Sequence, residues 1–165
     1  MLAKRAMRFI GDERGGPLAE MAVLLLPFIL IVAVVIEGGN VFWRHQISLK
    51  AVRDVARYVS RAPLLFDDAC TLNDNVLATT AEAARLLGAT GSLDGGPPLV
   101  PNWTTANIDI PVPVVLRADP CLAVVQAIAS VELPLPFAPI FQLFYAAQDD
   151  TLSYSVADQT RWLGE

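Results

Sequence analysis

The sequence has little histidine and cysteine, two of the residue types from which catalytic and metal sites are often built. It contains 1 histidine and 2 cysteines among 165 residues. It also has no H-E-x-x-H, C-x-x-C, G-x-S-x-G or G-K-[ST] pattern. The histidine, His45, lies just beyond the long apolar run, where an interfacial or solvated position is favoured over a catalytic one. We therefore expect a protein that is not an enzyme and that needs no metal and no cofactor.

Excess positive charge is absent as well. The formal net charge is −5, which argues against a nucleic acid as partner. Two acidic pairs, Asp67-Asp68 and Asp149-Asp150, would bind calcium only if they met, since calcium takes six to eight oxygen ligands. A charged turn or helix cap is the favoured interpretation. A membrane-tethered hydrolase would need Asp67, Asp68 and Asp109 to converge, and nothing in the sequence indicates that.

A long apolar run lies near the start of the chain. Met21 to Ile36 is a stretch of 16 residues without a charge, and Pro17 to Ile36 reaches the ~20 residues that span a bilayer as a helix. Residues 1–15 carry a formal charge of +2, which predicts an N-terminus on the cytoplasmic side. An ordinary secretory signal would need small residues after the run, and the residues after Ile36 fit that pattern badly.

One carboxylate, Glu20, opens the apolar run, and the sequence around it is Arg14-Gly15-Gly16-Pro17-Leu18-Ala19-Glu20-Met21. This stretch resembles the TadE-like family, which comprises minor pilins, or pseudopilins, of the tight-adherence (Tad, or Flp) branch of type IV pili. In that family a prepilin peptidase cuts after a glycine, and a glutamate is the fifth residue of the mature chain. Cutting after Gly15 makes Gly16 the first residue and Glu20 the fifth, although the second glycine leaves the exact bond open.

The resemblance extends through about the first 60 residues, including Leu26-Pro27, residues 36–39 and residues 51–58. Met21 departs from it, because the family usually has an aromatic residue there, and so does Pro17, which lies close to the cut. The resemblance implies that Glu20 pairs with the N-terminal amine of a neighbouring subunit. The alternative is that Glu20 reaches the lipid headgroups.

The resemblance also implies partners and a location. The partners would be a prepilin peptidase, other pilins and minor pilins, the inner-membrane pilus assembly platform and the lipid bilayer. The protein would cross the bacterial inner membrane once, with its C-terminal domain in the periplasm, and would enter an extracellular pilus with a priming, tip or assembly role, adhesion being a further expectation. The alternative is an uncleaved, membrane-anchored periplasmic domain that scaffolds a secretion apparatus or binds a ligand.

The predicted fold class is α+β, and the sequence pattern together with the resemblance predicts three segments. Residues 1–15 form a cytoplasmic leader that is cleaved, and residues 16–62 form a long pilin-like helix that spans the membrane to about residue 38. Residues 63–165 form a periplasmic domain with an antiparallel sheet packed on helices. Beyond the membrane the helix carries an apolar stripe at spacings of three and four residues, made of Leu49, Val52, Val55, Ala56 and Val59.

Three features of this helix have more than one interpretation. Pro27 removes a helix hydrogen bond and is expected either to kink the helix or to open it locally. Gly38-Gly39 is either a hinge or a place where another helix approaches closely. Arg53, Arg57 and Arg61 are either a solvated face or a contact with anionic headgroups or with acidic neighbouring subunits. Glu37 receives no specific role.

Later elements follow from periodicity. We expect a helix over 71–87, a loop over 91–102, and strands over 103–110, 122–133 and 152–156. One helical face of aromatic and aliphatic side chains lies between the last two strands, and we favour core packing for it over contact with a membrane or a neighbour. Its members are Phe137, Ile140, Phe141, Phe144 and Tyr145.

The two cysteines, Cys70 and Cys121, both follow the apolar run. In the periplasm they would be able to form a disulfide. Closing this loop would stabilise the fold by about 4 kcal/mol in the chain-entropy model. The alternative is a pair of buried thiols.

Overall fold

A computed structural model of the chain describes residues 16–139 and 150–163. It has a long N-terminal helix followed by a small domain that contains a second helix and an antiparallel sheet, which confirms the α+β class. The first helix, α1, spans Gly16–Ser60 and has 45 residues, so it is about 68 Å long at the α-helical rise. The leader and the Gly15 side of the expected cleavage bond lie outside the described residues.

Helix α1 is continuous through both the membrane-spanning and the amphipathic part of the helix predicted over residues 16–62. Pro27 lies inside it, where lipid-facing helices tolerate proline better than soluble ones do. The helix ends at Ser60, and the N–H of Ala62 bonds to the carbonyl of Val59 in the turn that follows. Pro63, which has no N–H to continue the helix, comes directly after this turn.

The second helix, α2, spans Asp74–Thr90. It begins three residues later than predicted because the side chain of Asn73 caps it, accepting a hydrogen bond from the N–H of Val76. It ends at Gly91, which has a left-handed φ of 78° and so supplies the usual glycine stop. Gly88 does not end the helix but lies inside it. A larger residue at this position would collide with the core.

The sheet is built on one long strand. The four strands are β1 (Ile108–Asp109), β2 (Val114–Arg117), β3 (Leu122–Pro134) and β4 (Thr151–Arg161). Strand β4 pairs antiparallel with β3 from Val124 to Pro134, and β1 and β2 share the opposite edge of β3. Pro111 and Pro113 separate β1 from β2, because a proline cannot donate a ladder hydrogen bond.

The strand predicted over 103–110 is wrong for most of its length, because only Ile108–Asp109 is a strand. Thr105–Asn107 form a 3₁₀ turn, in which the side chain of Asn107 accepts hydrogen bonds from the N–H and the hydroxyl of Thr104. Trp103 is buried and donates its indole N–H to the carbonyl of Ser130 at 2.8 Å. These bonds replace the ladder bonds that a longer strand would have made.

The other strand predictions differ in extent. Strand β3 matches the prediction over 122–133 with one added residue. Strand β4 is longer than the predicted 152–156, because the ladder with β3 continues to Arg161. Strand β2 was not predicted, since its four residues are all exposed and show no alternation. Most of the aromatic face between β3 and β4 lies outside the described residues.

The core lies between the upper part of α1, helix α2 and the inner face of β3. The predicted stripe on α1 contributes Val52, Val55, Ala56 and Val59, each 0% exposed. The predicted alternation on β3 is also confirmed, with every second side chain buried. These inward residues of β3 are Ala123, Val125, Ala127, Ala129, Val131 and Leu133.

Candidate functional site

The lower half of α1, residues 16–36, presents an apolar surface that the rest of the described chain does not cover. Leu18 is 74% exposed, Phe28 62% and Val35 67%. Between residues 16 and 36 only Ala33 is buried. An exposed apolar surface of this extent marks a contact with a membrane or with another protein. The helix is also long and apolar enough to cross a bilayer, with a mean hydropathy of 2.8 in its most apolar window.

Glu20 lies within this apolar surface, just after the first turn of α1. It is exposed and borders a groove of about 570 Å³ on the helix surface, lined also by Met21, Leu24 and Phe28. Within the described residues its carboxylate has no hydrogen bond and no ion pair. Gly16, the first described residue, begins the same helix one turn earlier. The arrangement offers a carboxylate, in apolar surroundings, to a cation from outside the described fold.

Glu37 has a structural role that the sequence did not reveal. Its Oε2 accepts a hydrogen bond from the backbone N–H of Phe137 at 3.1 Å, across 100 residues of sequence. Its Oε1 is buried without a hydrogen-bond partner among the described residues. Glu37 therefore ties the segment after β3 to α1 at the end of the apolar run. No local sequence pattern predicts this bond, because the partner of Glu37 is a backbone group from a distant segment.

A short polar stretch of α1 follows Glu37 and faces the start of β4. The guanidinium of Arg44 donates to Asn40 at 2.9 Å, and the hydroxyl of Ser48 lies 3.4 Å from that of Tyr154. The ring of His45 meets the ring of Tyr154 edge-on, with centroids 5.3 Å apart. The single histidine thus packs against the domain. Gly38 and Gly39, next to this stretch, have open space where side chains would be.

The three arginines that the sequence placed on one face of α1 have different surroundings. Arg53 forms an ion pair with Asp158 of β4 at 3.3 Å. Arg57 and Arg61 instead line a groove of about 540 Å³ together with Tyr58. The three arginines therefore differ: Arg53 is bound to the protein's own sheet, and Arg57 and Arg61 border an open concave surface.

The described acidic residues that were considered for metal binding form no metal site. The carboxylate of Asp67 accepts hydrogen bonds from the N–H groups of Ala69 at 3.0 Å and Thr71 at 2.7 Å, so it forms the turn that the sequence favoured. In the described part of the chain no three His, Cys, Asp or Glu side chains are grouped to hold a metal ion. Asp68 and Asp109 accordingly belong to no such cluster, and Asp149 lies outside the described residues.

The two cysteines are bonded to each other in the structure. Cys70 and Cys121 form a disulfide with a Cα–Cα distance of 5.4 Å and a sequence separation of 51 residues. The bond joins the segment between α1 and α2 to the residue that precedes β3. It links the part of the domain that follows the long helix to the central strand.

The comparisons with known proteins bear on α1 alone. A family model described as TadE-like protein matches residues 18–57, which confirms the resemblance over that segment and covers Glu20 and the upper apolar stripe as far as Ala56. No curated protein and no solved structure matches the chain. The family match and the long apolar helix together indicate a membrane-anchored protein related to the Tad pilus.

Proposed function

We propose that this chain, whose residues 18–57 match the TadE-like family, is a minor pilin of a Tad pilus that a prepilin peptidase matures. One observation carries the proposal. The matched segment includes a helix half whose apolar side chains have almost no cover within the described fold, while the apolar stripe of its upper half is buried in the core. A subunit that joins others through its N-terminal helix needs this division.

Glu20 has the central part in this proposal. Cleavage after Gly15 leaves a positively charged amine on Gly16, four residues before the carboxylate. A carboxylate in the apolar part of a bilayer costs roughly 2.5–3.5 kcal/mol, and pairing with the amine of a neighbouring subunit offsets part of that cost for both groups. Because the pair forms only at one stagger of the two helices, it also sets their register.

The proposal assigns partners and a location. The partners are the prepilin peptidase, other pilins and minor pilins, and the inner-membrane assembly platform. The protein crosses the inner membrane once, with its basic leader in the cytoplasm and its domain in the periplasm, where a disulfide such as Cys70–Cys121 persists. It is a substrate of the peptidase and not an enzyme itself.

The experiment is to measure the intact mass and N-terminal sequence of the chain, expressed with and without a prepilin peptidase. We expect a new N-terminus at Gly16 only when the peptidase is present. Gly15→Leu should abolish cleavage, while Gly11→Leu, the same change elsewhere in the leader, should leave it intact. An unchanged mass with the peptidase present would contradict the proposal and favour an uncleaved periplasmic scaffold.

A further inference from the structure

The groove beside the upper half of α1 brings two arginines together in a protein whose net charge is negative. It lies where α1 ends and reaches α2, and it is lined by Asp54, Arg57, Tyr58, Arg61 and Thr80, among others. Its volume is about 540 Å³. Two guanidinium groups therefore share one concave surface in a protein with a formal net charge of −5. A cationic concavity on an acidic protein concentrates anions by electrostatic focusing.

The two groove arginines differ from other arginines of the domain in what they contact. Arg53 is paired with Asp158, and Arg85 donates to the backbone carbonyl of Ile108. Arg57 and Arg61 are exposed, and within the described residues neither makes an ion pair. Arg57 lies in the last turn of α1 and Arg61 in the turn directly after it, and both side chains line the same groove. Both guanidinium groups can therefore reach a single carboxylate.

The height of the groove on α1 decides between a lipid and a protein as the source of the anion. The exposed aromatic residues Phe42 and Trp43 lie just beyond the apolar run, where an interfacial aromatic belt belongs. Arg57 is 14 residues past Trp43, or about 21 Å along an α-helix. The headgroup layer adds only about 5–8 Å on each side of the hydrocarbon core, so headgroups do not reach the groove.

We propose that this groove binds a carboxylate-bearing segment of a neighbouring protein subunit. The carboxylate lies between Arg57 and Arg61, and the phenol of Tyr58 and the hydroxyl of Thr80 supply further polar contacts. Asp54, in the same groove, repels a second acidic group and so limits how the segment is placed. The inference rests on the proposed function only in taking the neighbour to be another pilus subunit.

The test uses the full chain in nonionic detergent and a fluorescein-labelled hexaglutamate peptide, with binding followed by fluorescence anisotropy. We expect saturable binding that Arg57→Gln/Arg61→Gln weakens at least tenfold. Lys50→Gln/Arg117→Gln, which removes the same charge from exposed sites outside the groove, should change the affinity less than twofold. An equal loss in both double variants, or equal binding of a hexaglutamine peptide, would overturn the proposal.

A competition experiment separates the two sources of negative charge. Dihexanoyl phosphatidylglycerol, added below its micelle concentration, should fail to displace the peptide at a tenfold excess. Displacement by the lipid at lower concentrations than by unlabelled hexaglutamate would identify a lipid site and overturn the assignment to protein. Because neither measurement requires cleavage or a pilus, this inference and the proposed function fail independently.

Discussion

The two halves of α1 are one continuous helix with opposite surroundings. In the lower half Val34 and Val35 are 55% and 67% exposed, whereas in the upper half Val52 and Val55 are 0% exposed. The residue type is the same, so intrinsic preference does not separate the halves. What differs is the partner. The upper half packs on its own sheet and on α2, whereas the described residues leave the apolar surface of the lower half uncovered, so that it can contact lipid or other helices.

The boundary between the halves is polar. Glu37 binds the backbone of Phe137, and Ser48 and His45 contact Tyr154. At this level the domain is held to the helix by these polar contacts and by the packing of Val41 and Ile47 against the core. The comparison therefore indicates that the domain and the upper half of α1 form one packed unit, from which the lower half of the helix extends.

Removing the disulfide is expected to have the largest effect on the free energy of unfolding of the domain, and no effect on membrane retention. Cys70→Ser/Cys121→Ser should lower the free energy of unfolding of the domain by about 4 kcal/mol, because a loop of this length is no longer closed in the unfolded chain. Denaturant titration followed by tryptophan fluorescence measures it. The fraction of protein retained in membranes after carbonate extraction should not change, since the lower half of α1 contains no cysteine. A parallel loss of membrane retention would show that the halves are not independent.

A matched pair of valine substitutions sharpens the comparison. Val55→Ala removes side-chain atoms from a fully buried site and should destabilise the domain by about 1.5–3 kcal/mol. Val35→Ala, the same change on the exposed lower half, should leave the unfolding midpoint of the domain unaltered. If both variants destabilise the domain equally, the lower half also contributes to its core.

The smallest effect is expected from a pair of glycines. A Cβ at Gly88 would lie 2.6 Å from atoms of both Val55 and Ile108. Overpacking of about 1–3 kcal/mol then exceeds the helix-propensity gain of up to about 1 kcal/mol, so Gly88→Ala should destabilise the domain by about 1 kcal/mol. Gly38→Ala meets nothing within 4 Å and should not lower its stability. A neutral Gly88→Ala would mean that Ile108 moves aside without cost.

The sequence predicted well those features that depend on local periodicity. The length of α1, its upper stripe and the alternation along β3 follow from spacing alone. The 3₁₀ turn at Thr105 and the bond between Glu37 and Phe137 were missed, because both rest on particular hydrogen bonds that periodicity does not encode. Strand β2 was missed because it is held by pairing with β3, and its own residues are all exposed.

The candidate site shows the same limit. Glu20 was found from the sequence because it opens an apolar run and because the residues around it resemble the TadE-like family. The division of the arginines into a paired Arg53 and a groove formed by Arg57 and Arg61 was not predictable. It depends on where β4 and α2 meet the helix, which the spacing of the arginines does not contain.

The most direct test of the account is photocrosslinking at one aromatic site in each environment. Replacing Phe28, which is 62% exposed, with p-benzoylphenylalanine should give adducts with other proteins that carry an apolar N-terminal helix, in cells that assemble the pilus. The same replacement at Phe66, which is 3% exposed, should give no intermolecular adduct. Lipid adducts alone at Phe28 would contradict the claim that the lower half of α1 is an assembly surface.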